Sequence, residues 1–227
     1  MIQLRKIAVI HTDFPEKFGI PRQSGLVEEL RSTLVFEPEY RVPEALKGIE
    51  QYTHLWLLWE FSGAVRSEWS PTVRPPRLGG NTRMGVFATR SPFRPNPIGL
   101  SCVRLIKVEL STPQGPVLHL AGADLMDGTP IYDIKPYLPY TDSRPDASNG
   151  FALAQREGVL EVSIPDDMAA AVPQELRAAL TEVLAQDPRP QYISDPSREY
   201  TMSFAGFEVS FKADGSRLDV TKIEKRR

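Results

Sequence analysis

The segment THLWLLWEF (Thr53–Phe61) decides the fold class, because it is rich in aromatic side chains and too continuously apolar to alternate. It predicts a central strand with a neighbour on each side. Shorter β-forming segments surround it, namely Lys6–His11, Met84–Thr89, Ile98–Leu110, Val117–Ala123 and Pro130–Lys135. A helix is predicted at Pro43–Gln51. Many short strands separated by proline- and glycine-rich loops favour a mainly β protein with a closed or strongly curved sheet.

The composition changes at residues 144–158, where Pro145, Asn149 and Gly150 indicate a linker. Beyond it, Pro173–Gln186 places four aliphatic side chains on one helical stripe. A β-hairpin is predicted from Met202–Phe211 and Arg217–Glu224. We therefore expect two units, a β domain over residues 1–146 and a small α+β domain over residues 159–227.

Composition limits the class of protein. The 227 residues are 41% hydrophobic and 25% charged, which is ordinary for a soluble globular chain. The net charge of −2 means that any contact with nucleic acid must come from a local patch. A single cysteine excludes an internal disulfide framework. The first residues lack the pattern of a signal peptide and no apolar run is long enough for a bilayer, so we expect a cytoplasmic protein.

The segment Thr72–Ser101, TVRPPRLGGNTRMGVFATRSPFRPNPIGLS, carries the strongest functional signal. It contains five arginines and five prolines but no Asp or Glu. The prolines stiffen the loop, and guanidinium groups provide a planar donor fork for carboxylate or phosphate. The segment therefore predicts an anionic ligand or a nucleic acid. A solvated basic loop is the alternative.

Part of this segment, Met84–Ser101, resembles the TrmO (TsaA-like) tRNA methyltransferases. Three further segments resemble the same family in the right order, PRQSG (Pro21–Gly25), PTVRPPRLGGN (Pro71–Asn81) and DLMDGTPIYDIKPYLPYTD (Asp124–Asp142). The resemblance covers Lys6–Asp146 and extends through LAQDPRPQY (Leu184–Tyr192). It implies a single-sheeted β-barrel and a homodimer. It also implies methyl transfer from S-adenosylmethionine to N6 of threonylcarbamoyl-adenosine, the modified base just 3′ of the anticodon of a threonine tRNA.

The resemblance further implies a cofactor site near a subunit interface. Its matched positions are Pro21, Arg22, Gln23, Arg90, Leu100, Asp124, Leu125, Met126 and Asp127. These residue types suit S-adenosylmethionine, because carboxylates bind ribose hydroxyl or amino groups and Arg90 or Arg22 can bind the methionine carboxylate. The family often carries His-Gln where this chain has Ser62 and Gly63, so we expect backbone contacts at these two residues. From local sequence alone, Asp127-Gly128 is equally typical of a simple turn.

Two segments carry candidate catalytic groups. On a strand, Asp133, Lys135 and Tyr137 would project from one side and bring an acid, an amine and a phenol together. An exposed Asp–Lys ion pair is the alternative. Asp187–Tyr192 is similar to the Asp-Pro-Pro-Tyr loop of unrelated adenine N6-methyltransferases, although a proline-terminated helix end has the same pattern. We expect Asp133 and Tyr192 to handle the proton and Lys135 to stabilise charge.

The residues expected to contact tRNA are Arg74, Arg77, Arg83, Arg94, Asp187 and Arg189. The three histidines, His11, His54 and His119, are scattered and lack metal-ligand spacing, so we expect no metal.

Two other classes of function fit parts of the sequence. A non-catalytic RNA-binding module would use the arginines but would not need Asp124–Asp127. A methyltransferase acting on a small molecule would need the cofactor residues but neither the basic segment nor the C-terminal unit.

Overall fold

The computed structural model describes residues 3–64, 68–75, 78, 82–151, 159–190 and 195–226. Within these residues the strands, in chain order, are β1 Ala8–His11, β2 Arg31–Phe36, β3 His54–Glu60, β4 Thr72–Val73, β5 Met84–Gly85, β6 Ile98–Glu109, β7 Val117–Ala121, β8 Thr129–Pro136, β9 Glu161–Ser163, β10 Tyr200–Phe204, β11 Phe207–Asp214 and β12 Arg217–Lys225. The α-helices are α1 Pro139–Asp142, α2 Asp166–Ala171 and α3 Gln174–Ala185.

Six strands close into a barrel in the order β1-β2-β7-β6-β3-β8, and every neighbouring pair is antiparallel. The predicted mainly β fold with a closed sheet is therefore confirmed. The predicted central strand, β3, is hydrogen-bonded to β6 on one side and β8 on the other. Its burial alternates, however, which the apolar sequence did not suggest. The outward Trp56 remains half-buried because its ring packs on Tyr137, with ring centroids 5.6 Å apart.

The barrel interior is filled by inward-facing aliphatic side chains of all six strands. Leu34, Leu55 and Leu118 are completely buried there. The long strand β6 bends as predicted, with a register shift between Leu105 and Lys107 against β7. This bend allows one strand to pair with β3 along its first half and with β7 along its second half.

Two predicted elements of the barrel region differ in detail. The helix expected at Pro43–Gln51 is instead a pair of short 3₁₀ turns, Pro43–Leu46 and Ile49–Gln51, separated by Gly48 at φ 90°. The strand expected at Met84–Thr89 ends after Gly85, and a 3₁₀ turn follows at Val86–Ala88. Strand β2 was not predicted from the sequence, and its burial alternates as is typical of a barrel strand.

The C-terminal residues form a four-stranded sheet in the order β10-β11-β12-β9, with β9 parallel to β12. The predicted amphipathic helix is confirmed as α3, which buries Leu180, Val183 and Leu184. The predicted strand Met202–Phe211 is instead two strands joined at Ala205 and Gly206. Both residues have positive φ, 49° and 81°, and an alanine in this conformation gives no signal in the sequence.

One apolar cluster connects the barrel side of the molecule to this sheet. Phe14, Val27 and Leu30 belong to the same buried cluster as residues of α3 and β10–β12. The rings of Phe14 and Phe204 make an edge contact, with centroids 5.5 Å apart. The backbone N–H of Ala205 donates to the carbonyl of Asp13 at 2.8 Å. The two halves therefore share a buried core.

In the described part of the chain, no helix has the length and apolar character needed to cross a membrane.

Candidate active site

A carboxylate-bearing turn connects β7 to β8 at one end of the barrel, which we call the Asp124 end. Strand β3 ends here at Glu60, opposite Ile98 at the start of β6. Leu125 is 1% exposed and packs into the barrel core, so it anchors the turn. Asp124, immediately before it, is partly buried and accepts a hydrogen bond from the Ser101 hydroxyl at 2.6 Å.

Ser101 also accepts a hydrogen bond from Trp59 Nε1 at 2.9 Å, which gives a chain of polar contacts from β3 through β6 to Asp124. Gly99 makes this arrangement possible, because a Cβ at that residue would lie only 2.2 Å from the Trp59 ring. Ser101 was not among the site residues predicted from the sequence. Its position as a polar residue facing the core from an apolar strand was the available signal.

Burial raises the pKa of the Asp124 carboxyl above its ordinary value. The hydrogen bond from Ser101 opposes this effect, and the nearby positive charge of Arg90 opposes it more weakly. A partly buried carboxylate with a guanidinium group beside it is an arrangement that favours binding of a polar, charged ligand.

The early loop that contains Pro21, Arg22 and Gln23 lies against this turn. The N–H of Gly25 donates to the carbonyl of Gly122 at 2.8 Å, which fixes the loop to the residues after β7. Pro21 is buried, whereas Gln23 is exposed and accepts a hydrogen bond from Arg90 Nη1. The structure therefore brings three of the sequence-predicted segments together, the early loop, the carboxylate turn and residues 86–97 between β5 and β6, which we call the Arg90 loop.

Arg22 points in another direction, toward the C-terminal half. Its Nη2 donates to the carbonyls of Asp187 and Arg189, both at 3.3 Å. Asp187 and Arg189 form a two-pronged ion pair, with Nε to Oδ1 at 2.7 Å and Nη2 to Oδ2 at 3.0 Å. The third nitrogen of Arg189 donates to the carbonyl of Ala213. The side chains of Asp187 and Arg189, which were predicted to contact tRNA, thus form their hydrogen bonds within the protein.

Apolar groups border the Asp124 end. Leu100 is 53% exposed at the start of β6. Ser62 and Gly63 form an exposed 3₁₀ turn directly after β3, and a Cβ at Gly63 would lie 3.4 Å from Met126 Cε. The missing side chain at Gly63 therefore leaves the main chain and Met126 accessible, which suits backbone and apolar contacts to a ligand.

Asp127 lies on the β1 side of the turn. Its Oδ1 is 3.1 Å from His11 Nδ1 and also accepts the N–H of Thr12 at 3.1 Å. Burial and the neighbouring Asp127 charge raise the pKa of Asp13, in that order. A groove of about 500 Å³ opens beside His11 on the outer surface of β1, β2, β6 and β7, but Arg90 and Asp124 do not line it.

Asp133 and Lys135 form an ion pair on the outside of β8, with Lys135 Nζ 2.9 Å from Asp133 Oδ2. The Asp133 side chain is 43% exposed and that of Lys135 is 63% exposed. They project from one side, as predicted. Asp133 follows Thr129 by four residues, or about 13 Å along a strand. Tyr137 is eight residues beyond Thr129 and packs on His54 and Trp56, at the barrel end opposite Asp124. The structure therefore does not bring Tyr137 to the carboxylate turn.

A second carboxylate does lie at the Asp124 end. Glu60 Oε2 accepts a hydrogen bond from the Tyr132 hydroxyl at 2.6 Å. Burial, with the added effect of Glu60, raises the pKa of Tyr132 to about 12. This pair was not predicted from the sequence, because its members are 72 residues apart in the chain.

The basic segment, Thr72–Ser101, leads into β6 and is held by local hydrogen bonds. Arg83 Nη1 donates to Thr72 Oγ1 at 2.9 Å, and Arg94 Nη1 donates to the carbonyl of Thr89 at 3.3 Å. Arg74 is exposed. Arg77 and the candidate catalytic Tyr192 lie outside the described residues. Within the described ranges, no three His, Cys, Asp or Glu side chains converge in the way metal ligands do.

Comparison with known proteins gives a consistent result. The family model for the tRNA-methyltransferase O N-terminal domain matches residues 9–143, and that for the TrmO C-terminal domain matches residues 159–226. The tRNA (adenine(37)-N6)-methyltransferase of Escherichia coli K12 is 42% identical over 99% of this chain and 98% of its own length. A putative S-adenosylmethionine-dependent methyltransferase of Pseudomonas aeruginosa is 47% identical, with 89% of each chain covered.

Solved structures agree with the sequence comparison. A crystal structure of TrmO from P. aeruginosa superposes with a TM-score of 0.79 at 37% sequence identity, covering 99% of this chain and 97% of that chain. The matches extend over both the barrel and the C-terminal sheet. The chain therefore belongs to the tRNA-methyltransferase O family.

Proposed function

We propose that the protein transfers a methyl group from S-adenosylmethionine to N6 of threonylcarbamoyl-adenosine 37 in a threonine tRNA. The observation that carries this proposal is the meeting of Asp124, Gln23 and Arg90 at one end of the barrel, beside a segment rich in arginine. Family membership supports the reaction class.

The residues at the Asp124 end fit the chemical groups of S-adenosylmethionine. The Asp124 carboxylate can accept hydrogen bonds from ribose hydroxyls or the amino group, and Asp127 is a second acceptor on the same turn. Arg90 can pair with the methionine carboxylate. The exposed Leu100 and the partly buried Met126 offer an apolar surface suited to adenine, and the main chain at Ser62 and Gly63 offers hydrogen-bonding groups beside it. Pro21 and Leu125 are buried and hold the two loops in place.

We assign the carboxylate contact to Arg90 and a positioning role to Arg22. Sequence reasoning left the two arginines as alternatives. In the structure, Arg22 donates to the main chain of Asp187 and Arg189, whereas the charge of Arg90 acts on Asp124 and weakly opposes the rise in pKa that burial causes. Arg90 is therefore the guanidinium that faces the same ligand as the carboxylate turn.

S-adenosylmethionine supplies an electrophilic methyl group on sulfur. The target nitrogen is a ureido N–H, so a group of this chain must accept its proton or stabilise the negative charge that develops. Asp133, paired with Lys135, is our first candidate, and Glu60 is the runner-up because it lies at the Asp124 end. We assign Tyr137 to packing. Tyr192 remains a candidate on sequence grounds.

Comparison of Asp133→Asn with Glu60→Gln separates these candidates. The variant that has lost the proton acceptor should show a much slower single-turnover methylation with unchanged affinity for S-adenosylmethionine. If both variants keep the wild-type rate, neither carboxylate removes the proton and Tyr192 becomes the remaining candidate.

The basic segment supplies the RNA contact in this proposal. Arg74, Arg77, Arg83 and Arg94 would bind phosphates or the threonyl carboxylate of the modified base. Because counterions are released from the phosphates, tRNA affinity should fall steeply with salt, whereas the affinity for S-adenosylmethionine should change much less. Asp187 and Arg189 would act on tRNA through the position of their loop, since their side chains bind each other.

We further propose that the protein works as a homodimer in the cytoplasm, with residues 1–146 as the methyltransferase barrel and residues 159–227 as an accessory α+β unit. The apolar side chains of Ile98 and Leu100, exposed at the Asp124 end, are consistent with a partner subunit near the cofactor. Light scattering of the purified protein measures the assembly state directly.

The test of the function is methyl transfer to tRNA that carries threonylcarbamoyl-adenosine, followed by mass spectrometry of the nucleosides. The matched control is the same tRNA with unmodified adenosine. Methylation of the modified tRNA alone supports the proposal. Binding of tRNA without methylation would favour a non-catalytic RNA-binding module. Binding of S-adenosylmethionine without any tRNA binding would favour a small-molecule methyltransferase.

A further inference from the structure

Two exposed aromatic side chains, Trp69 just before the basic segment and Phe87 within it, stack on each other. Trp69 is 49% exposed and Phe87 is 72% exposed, and their ring centroids are 6.2 Å apart at an interplanar angle of 24°. Large aromatic side chains normally bury most of their surface in a core. An exposed, nearly parallel pair therefore calls for a partner that supplies the missing contact.

The backbone around the pair is built to hold it. The N–H of Val86 donates to the carbonyl of Pro71 at 3.0 Å. Strands β4 and β5, which lie between Trp69 and Phe87 in the sequence, pair with each other. Val86, directly before Phe87, is 1% exposed and anchors the 3₁₀ turn that carries the ring. The hydroxyl of Thr89 closes this turn by donating to the Val86 carbonyl at 2.8 Å.

The charge around the pair indicates the chemistry of the partner. Glu68 directly precedes Trp69, but no Asp or Glu occurs in residues 70–107, whereas Arg74, Arg83 and Arg94 lie in this range. A surface that combines stacked aromatic rings with arginines is complementary to single-stranded nucleic acid, which offers flat bases and a polyanionic backbone. A purely apolar partner would leave the guanidinium groups without counter-charges.

The pair also lies close to the site of the proposed reaction. Phe87 precedes Arg90 by three residues, which limits the distance between their Cα atoms to about 10 Å. Arg90 itself contacts Gln23 and acts on the charge of Asp124. A nucleotide on the aromatic pair would therefore be only a few positions from the base that is methylated.

We propose that Trp69 and Phe87 form a stacking platform for an unpaired base of the substrate RNA, a near neighbour of the methylated adenosine in the anticodon loop. This assignment rests on the proposed function, because it takes the Asp124 end as the methylation site. The platform would hold the loop open and orient the target base, while the arginines bind the phosphates.

The first experiment compares Trp69→Ala and Phe87→Ala with Tyr140→Ala in the full-length protein. Tyr140 is a suitable control because it is 85% exposed but lies beyond the far end of β8. Affinity is measured with a fluorescently labelled anticodon stem-loop that carries threonylcarbamoyl-adenosine. Each platform variant should weaken binding by about five- to 150-fold, with unchanged affinity for S-adenosylmethionine. Tyr140→Ala should bind like wild type, and Phe87→Tyr, which keeps a ring, should retain most of the affinity.

A second experiment identifies the contact as base stacking. Abasic nucleotides are placed at each loop position in turn, and one of them should weaken wild-type binding as much as Phe87→Ala does. Combined with that RNA, Phe87→Ala should cause no further loss, because the interaction is already gone. If the losses of binding free energy from Phe87→Ala and from the abasic nucleotide add at every loop position, the platform proposal is wrong.

Other outcomes separate this inference from the proposed function. Methylation with wild-type KM and kcat in both alanine variants would overturn the platform and leave the function standing. Weaker RNA binding by the variants of a protein that methylates no tRNA would support the platform and overturn the function. Unchanged RNA affinity together with a change in molar mass would assign the aromatic pair to a contact between two copies of the chain.

Discussion

Arg22 of the early loop donates from its Nη2 to the main-chain carbonyl of Asp187, 165 residues further along the chain and at 3.3 Å. The same nitrogen reaches the carbonyl of Arg189. One guanidinium thus links the loop that faces the carboxylate turn to the segment that follows α3. The C-terminal segment is therefore hydrogen-bonded to the loop at the edge of the proposed cofactor site.

Replacement of Arg22 by alanine should loosen this connection. A hydrogen bond to a charged group contributes about 1.5–3 kcal/mol, so amide exchange at Gln186, Asp187 and Arg189 should become about ten- to a hundred-fold faster. Hydrogen–deuterium exchange measures this effect. Arg31→Ala is the control, because Arg31 also donates to a carbonyl, that of Glu28, but lies on β2. Equal exchange in both variants would show that the Arg22 contact does not hold the segment.

Replacement of Arg90 by alanine should weaken S-adenosylmethionine binding by about ten- to a hundred-fold, because a charged hydrogen bond to a carboxylate is lost. Calorimetric titration measures the affinity. Arg83→Ala removes a guanidinium from the same basic segment, where it binds Thr72, and should leave the cofactor affinity unchanged. A folded Arg90→Ala protein with wild-type affinity would reject the assignment of Arg90 to the methionine carboxylate.

The affinity for S-adenosylmethionine should also depend on the protonation of Asp124. Burial raises the pKa of this carboxyl, so it gains a proton at a higher pH than an exposed aspartate does. A protonated carboxyl is a poorer acceptor, and the affinity should therefore fall as the pH is lowered through the raised pKa. The Asp124→Asn protein should bind more weakly and lack this dependence, as titrations at several pH values can show.

The same shift has the opposite sign for folding. Because the folded state favours the protonated carboxyl, it binds more protons than the unfolded state over this range. The contribution of Asp124 to the free energy of unfolding should therefore decrease as the pH rises from the ordinary aspartate pKa through the raised one. Urea titrations of wild type and Asp124→Asn over this range should diverge in that direction. A constant difference would mean that Asp124 is not desolvated in solution.

The sequence was sufficient to predict strands and the closed sheet, because barrel strands combine apolar runs with frequent turns. It also predicted that the early loop, the Arg90 loop and the carboxylate turn belong to one site, although only through resemblance to a family. Local patterns cannot specify which distant segments meet. The contact of Gln23 with Arg90 spans 67 residues, and that of Ser101 with Asp124 depends on the barrel closing.

Other features followed from tertiary contacts that leave no local trace. The direction of Arg22 toward Asp187 separates two arginines that looked equivalent in the sequence. Periodicity placed Asp133, Lys135 and Tyr137 on one side of a strand but gave no information on which end of the barrel each would occupy. The length of the strand gives this information, because eight residues of extended chain place Tyr137 at the opposite end of the barrel from Thr129.

Gly99 should be intolerant of even a methyl group. A Cβ there would lie 2.2–2.6 Å from three atoms of the Trp59 indole, and the ring is packed too tightly to move freely. Gly99→Ala should therefore cost about 1–3 kcal/mol of unfolding free energy and displace Trp59 from Ser101. Urea denaturation measures the stability. Gly85→Ala is the control, since a Cβ at Gly85 meets nothing within 4 Å.

Finally, we expect the barrel and the C-terminal sheet to unfold together. Phe14 is 1% exposed and packs with Val27, Phe204 and Met202 in one cluster, so separation of the two parts would expose a core. All three tryptophans precede residue 70, which makes their fluorescence a probe of the barrel side alone. Hydrogen–deuterium exchange in β10–β12 reports on the other side. The two probes should give coincident urea transitions.

Phe14→Ala provides the decisive variant. The loss of a buried phenylalanine ring costs about 3–5 kcal/mol, and both probes should shift to lower urea by the same amount. Phe87→Ala, which removes an exposed ring from the barrel side, should shift neither. If Phe14→Ala moved the exchange transition of β10–β12 and left the tryptophan transition in place, the shared cluster would belong energetically to the C-terminal part alone. The barrel would then be stable without it, and the Arg22 contact would join two independently folding units.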